Sequence, residues 1–156
     1  MVRKTFAGDL DEVDRRIISV LRAGGRKTVT DLAREVGISK TPCQIRMRRL
    51  IDSGVIRGFQ AVVDPATLGL DHIAFVEIGL ASTHEKALTD FNEAVRRIPE
   101  VEECHMIAGS FDYLLKVRTL DMRRYRKVMG EKITNLPHVA TTSTFVVMEA
   151  VKEVHG

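Results

Sequence analysis

Apolar residues in the first third of the chain recur at helical spacing, in three short runs separated by glycine. Val13, Ile17, Val20 and Leu21 share one side of a helix. Asp11 is placed to cap it. Asp14, three residues on, adds negative charge in the first turn, where the helix dipole favours it. Gly24 and Gly25 end the run, so the spacing predicts a helix over about 11–23. Thr28 and Asp31 form a T-x-x-D capping pattern ahead of Leu32, Ala33 and Val36, and Gly37 stops this second helix after about two turns. Ser39 is placed to cap a third helix, with Pro42 in its first turn, where a missing N–H does little harm. That helix runs to about Ser53 and is closed by Gly54. Two short helices joined by a glycine-containing turn of three or four residues are a helix-turn-helix.

At about 100° per residue, Cys43, Met47, Leu50 and Ile51 form the apolar stripe of the third helix. Thr41, Gln44, Ile45 and Arg48 point roughly the other way, Arg46 and Arg49 lie on the flank, and Lys40 sits at the N-terminal end. One side is therefore apolar, one is able to read bases, and the edge is positive, with the arginines placed for phosphates or guanines. A solvated amphipathic helix in a small bundle would show the same wheel. The tight turn after a short capped helix favours DNA binding.

Beyond Gly54 the period changes from helical to alternating. VIRGFQAVVD reads as extended chain that leaves the helical domain as a linker strand and ends at Asp64-Pro65. HIAFVEIGLA, from residue 72, reads as a strand apolar on both faces, with Glu77 as the charged exception. Residues 84–98 carry Ala87, Leu88, Phe91, Val95 and Ile98 at helical spacing before Pro99. VEECHMIAG alternates, with Cys104, Met106 and Ala108 on one side, and Gly109-Ser110 reads as a tight reversal into FDYLLKVRT. There Tyr113, Leu115 and Val117 face one way and Lys116 and Arg118 the other. Asp121 caps a helix lined by Met122, Tyr125, Met129, Ile133 and Leu136, and VATTSTFVVMEAV is the last strand.

The order β-α-β-β-α-β is a ferredoxin-like split unit, giving an α+β chain. It comprises a helix-turn-helix domain over 1–54, an extended linker strand over 55–71, and a βαββαβ domain over 72–156. Both helices cover one face of an antiparallel sheet. About 85 residues do not wrap both faces, so a second copy of the chain is the expected cover, and a dimer follows.

Charge sharpens this division. Residues 1–60 hold 13 Lys/Arg and 7 Asp/Glu, and residues 61–156 hold 11 and 14. The first part is basic, as a nucleic-acid-binding half would be. With 44% apolar and 29% charged residues, and no long apolar run, the chain reads as soluble and cytoplasmic, without a membrane span or signal peptide. Catalytic chemistry finds no support. His72, His84, His105, His138 and His155 lack metal spacing, and no P-loop, GxSxG or GxGxxG occurs. Cys43 and Cys104 have no partner at zinc spacing and read as small apolar residues. No metal and no cofactor are expected.

LDEVDRRI, DLAREVGIS, TPC with RRL behind it, SGVIRGF, FVEI, ECHMIAGSFDYLLKV, and YRKVMGEKITNLP ahead of TFVVMEAVKE occur in that order. By these motifs the chain resembles the Lrp/AsnC, or feast/famine, transcriptional regulators over nearly its whole length, closest to the leucine-responsive branch. The resemblance implies a winged-type helix-turn-helix, a C-terminal ligand-sensing domain, and dimers that assemble further, octameric discs among them. It also implies an amino-acid effector, leucine-like or proline-like, that shifts assembly or DNA affinity. Carried over by position, Ser39, Lys40, Thr41, Gln44 and Arg48 would contact duplex DNA, joined by Arg46 and Arg49. Ile45 departs from the polar residue expected on that face: either it meets a thymine methyl, or the helix is rotated from this wheel.

The family's effector pocket would lie where dimers meet, near the loop at 108–113. Gly109 and Ser110 would offer backbone N–H groups to a carboxylate. Asp112 would hold the ammonium. Met106, Met122, Phe145, Val146 and Val147 would contact the side chain, and Thr142 and Ser143 would add hydrogen bonds. Against this, Asp112 also suits the start of a strand, and the Met and Phe residues suit a core. An architectural DNA-compacting protein without an effector is the alternative to an amino-acid-responsive regulator of amino-acid metabolism genes.

Overall fold

The computed structural model describes residues 10–153, which divide into two compact units, 10–62 and 63–153. The first holds three helices: α1 (Glu12–Ala23), α2 (Val29–Val36) and α3 (Lys40–Asp52). Asp11 caps α1 in a reciprocal box: the Asp14 N–H donates to Asp11 Oδ1 at 2.8 Å and the Asp11 N–H to Asp14 Oδ2 at 3.3 Å. The Asp31 N–H donates to Thr28 Oγ1 at the start of α2. Gly37 ends α2 in the left-handed region, φ 80°, with its N–H on the Ala33 carbonyl, which is the turn a side chain would strain. Ser39 occupies the N-cap position of α3, but its side chain caps nothing. Ile17, Leu32, Ala33, Val36, Cys43 and Leu50 form the core of this unit.

Two expectations change here. Ile51, read as part of the α3 stripe, is exposed, because it lies a further 100° round the helix from Leu50. Residues 55–71, read as a linker strand, form no strand. They run without a ladder partner into a short 3₁₀ turn, Pro65–Leu68, and no wing hairpin follows α3 among the described residues. A strand exists only where a neighbour takes its N–H and C=O groups, and none of the described residues does so there.

The second unit follows the expected order. It comprises β1 (His72–Leu80), α4 (Glu85–Val95), β2 (Val101–Met106), β3 (Tyr113–Thr119), α5 (Met122–Val128) with a π turn at Met129–Ile133, and β4 (Val139–Val146). The sheet is antiparallel, ordered β2-β3-β1-β4. Ala74, Val76 and Ile78 of β1 pair across from Val117, Leu115 and Tyr113 of β3. These six join Phe91 and Val95 of α4 and Tyr125, Val128 and Ile133 in one core, so both helices lie on one sheet face. The Tyr125 hydroxyl also hydrogen-bonds Thr144 Oγ1 at 2.7 Å, tying α5 to β4.

The boundaries differ in detail. α4 ends at Val95 rather than at 98, since the residue before Pro99 is steered out of helical geometry. The reversal after β2 is not a two-residue turn: the Ile107 N–H closes a loop onto the Asp112 carbonyl. β4 stops at Val146. Residues 147–153 leave the ladder, although the Val147 N–H still donates to the Ile73 carbonyl. Met122, assigned to the apolar side of α5, is 45% exposed, so the stripe fades at the first turn.

The opposite sheet face carries Phe75, Leu114 and Phe145, with Phe145 54% exposed. Only one end of it is covered within the chain. Arg118, almost wholly buried, donates to Glu102, Glu153 and the Leu70 carbonyl, and Lys116 donates to Glu153 at 2.7 Å. Hydrogen bonds from Lys116 and Arg118 hold the Glu153 carboxyl at about 2, below its ordinary 4.5. A folded-state value below the unfolded one stabilises the attachment of residues 147–153 above pH 4.5, and that stabilisation is lost as pH falls toward 2. Exchange of the Val147 amide, normalised to its intrinsic rate, is therefore expected to accelerate across that window. In Glu153→Gln it should already be fast at neutral pH. Equal protection in the two proteins at pH 7 would mean that the backbone bond to Ile73 alone holds the segment.

Candidate functional site

The side chains of α3 separate by what they touch. Cys43 and Leu50 are buried against α1 and α2. Ser39, Lys40, Thr41, Gln44 and Arg48 are exposed, and neither Lys40 nor Arg48 has an ion-pair partner among the described residues. The sequence-predicted DNA contacts of this group thus form one open polar and cationic surface. Ile45 stands in its middle, 65% exposed.

Arg46 and Arg49 are placed differently. Arg46 pairs with Asp11 and, at 2.9 Å, with Asp14 Oδ1, while Arg49 pairs with the other oxygen of Asp14. Asp14 is 0% exposed, the one buried carboxylate among the described residues. The Asp11 amide and the two guanidiniums use both of its oxygens. The Arg46 guanidinium is pushed up, first by its hydrogen bond to Asp11. Asp11 is held below the usual carboxylate range, first by the Asp14 N–H and then by Arg46. These four residues brace α3 against the start of α1. Sequence reasoning saw Asp14 only as a favourable charge in the first turn. Its position about 60° from Ile17 on the α1 wheel was the available signal, since an acid beside a buried residue demands a partner.

The residues expected to bind an effector do not converge within one chain. Met106, Gly109, Ser110 and Asp112 lie at the end of β2 and in the loop that follows; Met106 is 56% exposed, Gly109 and Ser110 are exposed, and Asp112 is half-buried. Asp112 is engaged already: its Oδ2 accepts the Leu80 N–H at 2.7 Å, and its own N–H donates to the Ile78 carbonyl. Thr142, Ser143, Phe145 and Val146 lie on β4, the opposite edge strand, with Val147 just beyond. Three strand spacings, roughly 14 Å, separate β2 from β4. Thr142 and Val146 pair with Ile78 and Ala74 on the helix side, and Ser143 and Phe145 with Glu77 and Phe75 on the other side. Met122 starts α5. Neither cysteine offers a reactive thiolate: burial pushes both thiols up, Cys104 to about 11.

Comparison with known proteins places both units. A family model described as winged helix-turn-helix DNA-binding matches residues 10–57, and one described as the Lrp/AsnC ligand binding domain matches residues 73–155. The chain belongs to the Lrp/AsnC family. A proline dehydrogenase transcriptional activator of Rhizobium radiobacter is 62% identical over 145 residues, covering 93% of each chain. The leucine-responsive regulatory protein of Escherichia coli K12 is 45% identical over 151 residues, covering 97% of this chain and 92% of its own. Among solved structures, an AsnC family regulator from Agrobacterium tumefaciens superposes with a TM-score of 0.87 at 34% identity, over 94% of this chain and 95% of that one. A Neisseria meningitidis regulator in complex with L-Met gives 0.85 at 30% identity, over 93% and 94%.

This Lrp/AsnC chain is a DNA-binding transcriptional regulator, not an enzyme, and its second unit is the family's ligand-binding domain. No helix among the described residues is long and apolar enough to cross a membrane.

The brace gives an ordered set of stabilities. Arg46→Ala with Arg49→Ala removes both cationic partners of Asp14 and is expected to lower the stability of the first unit clearly. Either arginine change alone leaves one guanidinium in place and should cost less than half of that loss. Chemical denaturation followed by circular dichroism checks the order. Losses of the double variant equal to the sum of two small single losses would mean that Asp14 is not held by the pair.

Proposed function

We propose that this regulator inserts α3 into the major groove of an operator as a dimer, and that proline is the amino acid to which it responds. The observation that carries the first part is the open surface of Ser39, Lys40, Thr41, Gln44 and Arg48, opposite the Cys43–Leu50 core. Arg48 suits guanine O6/N7 and Gln44 suits adenine N6/N7, while Lys40 and the Ser39 end of the helix suit phosphate. Arg46 and Arg49 support this surface from behind rather than extend it. Two such helices in a dimer call for a pseudo-palindromic operator. DNA as the partner places the protein in the cytoplasm.

The second part rests on similarity to the proline dehydrogenase activator, which exceeds that to the leucine-responsive protein, 62% against 45%. A regulator of a catabolic gene is usefully governed by that gene product's substrate. The L-Met complex of a structural neighbour supports an amino-acid site and weighs against a compactor without effector. The placement of Met106 on β2 and of Thr142, Ser143, Phe145 and Val146 on β4, opposite edges of the sheet, supports a pocket completed by a second copy. Its candidates remain Met106, Gly109, Ser110, Asp112, Met122, Thr142, Ser143, Phe145, Val146 and Val147. Effector binding then selects among assemblies, from dimer to octamer, and alters operator affinity only by that preference.

A thermal-shift and light-scattering screen over all twenty amino acids tests the effector, with proline expected to shift both readouts. Operator binding as a function of salt tests the interface. Lys40→Ala should weaken binding and lower the salt slope by about two, one for each subunit, and Arg48→Ala should weaken binding and relax the base preference. Operator binding undiminished in both variants would refute the placement of α3. Indifference to every amino acid would refute the sensor.

A further inference from the structure

We propose that Ile45 reads sequence, by packing its side chain on the C5-methyl of a thymine in the major groove. This rests on α3 as the groove-entering helix. Ile45 is 65% exposed and belongs to neither apolar core, although Ile38, Met47 and Ile56 around it pack against the core of the first unit. It lies about 140–160° round the helix from Leu50 and Cys43, so no rotamer returns it to the interior. The ion pairs of Arg46 and Arg49 to α1 fix that rotation from a second side, so the exposure does not come from a misjudged wheel. A β-branched apolar residue at an exposed helical site is also a slightly poorer helix former than Lys, Gln or Ala, so the helix gains nothing from it.

What surrounds Ile45 identifies its partner. Thr41, Gln44 and Arg48 border it, Lys40 stands at the helix start, and the two cations have no ion-pair partner among the described residues. One apolar side chain inside a cationic, hydrogen-bonding border suits a polyanion better than an apolar protein surface, which would offer a contiguous patch in return. A helical side chain covers the turn preceding its own Cα, so Ile45 lies over the level of Thr41 and Pro42, in the half of α3 that enters a groove first. On the base edges of the major groove the thymine methyl is the apolar feature, and every other group there is a donor or an acceptor. The thymine belongs beside the bases met by Gln44 and Arg48.

The test uses the full chain and a duplex selected by it from a random-sequence pool. Each thymine of that duplex is replaced singly by uracil, which removes only the methyl. For the unaltered protein, one position in each half-site should weaken binding roughly fourfold, the worth of one buried methyl. Ile45→Ala should bind the thymine duplex weaker by about that factor for each half-site and be indifferent to uracil at that position alone, while its melting temperature and salt slope stay unchanged. Ile45→Val, keeping a β-branched apolar surface, should retain most of the discrimination. A scan without any sensitive thymine, or a sensitivity that survives in Ile45→Ala, would overturn the inference and leave the regulator reading intact. A pool that yields no preferred sequence would overturn both.

Discussion

The Asp14 carboxylate, wholly removed from water between α1 and α3, is the constraint on which the proposed DNA-binding surface depends. A lone buried charge is strongly unfavourable, so Asp14 must keep cationic hydrogen-bond donors close. Both available donors come from one flank of α3. Cys43 and Leu50 hold the adjacent side by apolar packing. Fixed on two sides, the helix retains one rotational setting, and the residues left facing outward are Thr41, Gln44, Ile45 and Arg48. The brace also divides labour among four cationic side chains that look equivalent in sequence: Arg46 and Arg49 neutralise acids, and Lys40 and Arg48 have no ion-pair partner among the described residues.

The ligand-binding unit is governed by a different economy, that of a four-stranded sheet with helices on one face only. α4 and α5 fill the side of Ala74, Val76 and Ile78. The other side has a salt-bridged strap at one end, where Glu153 meets Lys116 and Arg118, and the exposed Phe145 with the half-buried Phe75 and Leu114 over the remainder. The two edge strands, β2 and β4, carry the candidate effector residues on opposite margins of that sheet. On the reading proposed above, self-association and ligand response are tied together, because residues on opposite edges of one sheet meet in a pocket that a second copy completes.

Local rules made most of the fold legible. Capping pairs such as Asp11 with Asp14 and Thr28 with Asp31, and stops such as Gly37, act between residues a turn apart, so they stand in the sequence as they act in space. The alternation of β3, with Tyr113, Leu115 and Val117 inward and Lys116 and Arg118 outward, is equally local, because a strand shows its faces by parity. Ile51 and Met122 failed for a related reason: a helical wheel gives direction but not how far a neighbour reaches, and at the ends of α3 and α5 the described neighbours cover them only in part.

The sequence by itself determined the helix-turn-helix, the split βαββαβ order, the basic first half and the family, since each is written in short-range spacing or in ordered motifs. Tertiary structure decided what those residues do. It spent Arg46 and Arg49 on an acid 32 and 35 positions away, committed Asp112 to the Leu80 amide, and set β2 and β4 on opposite edges. Such pairings depend on where the chain returns in space, and that is fixed only when the cores close.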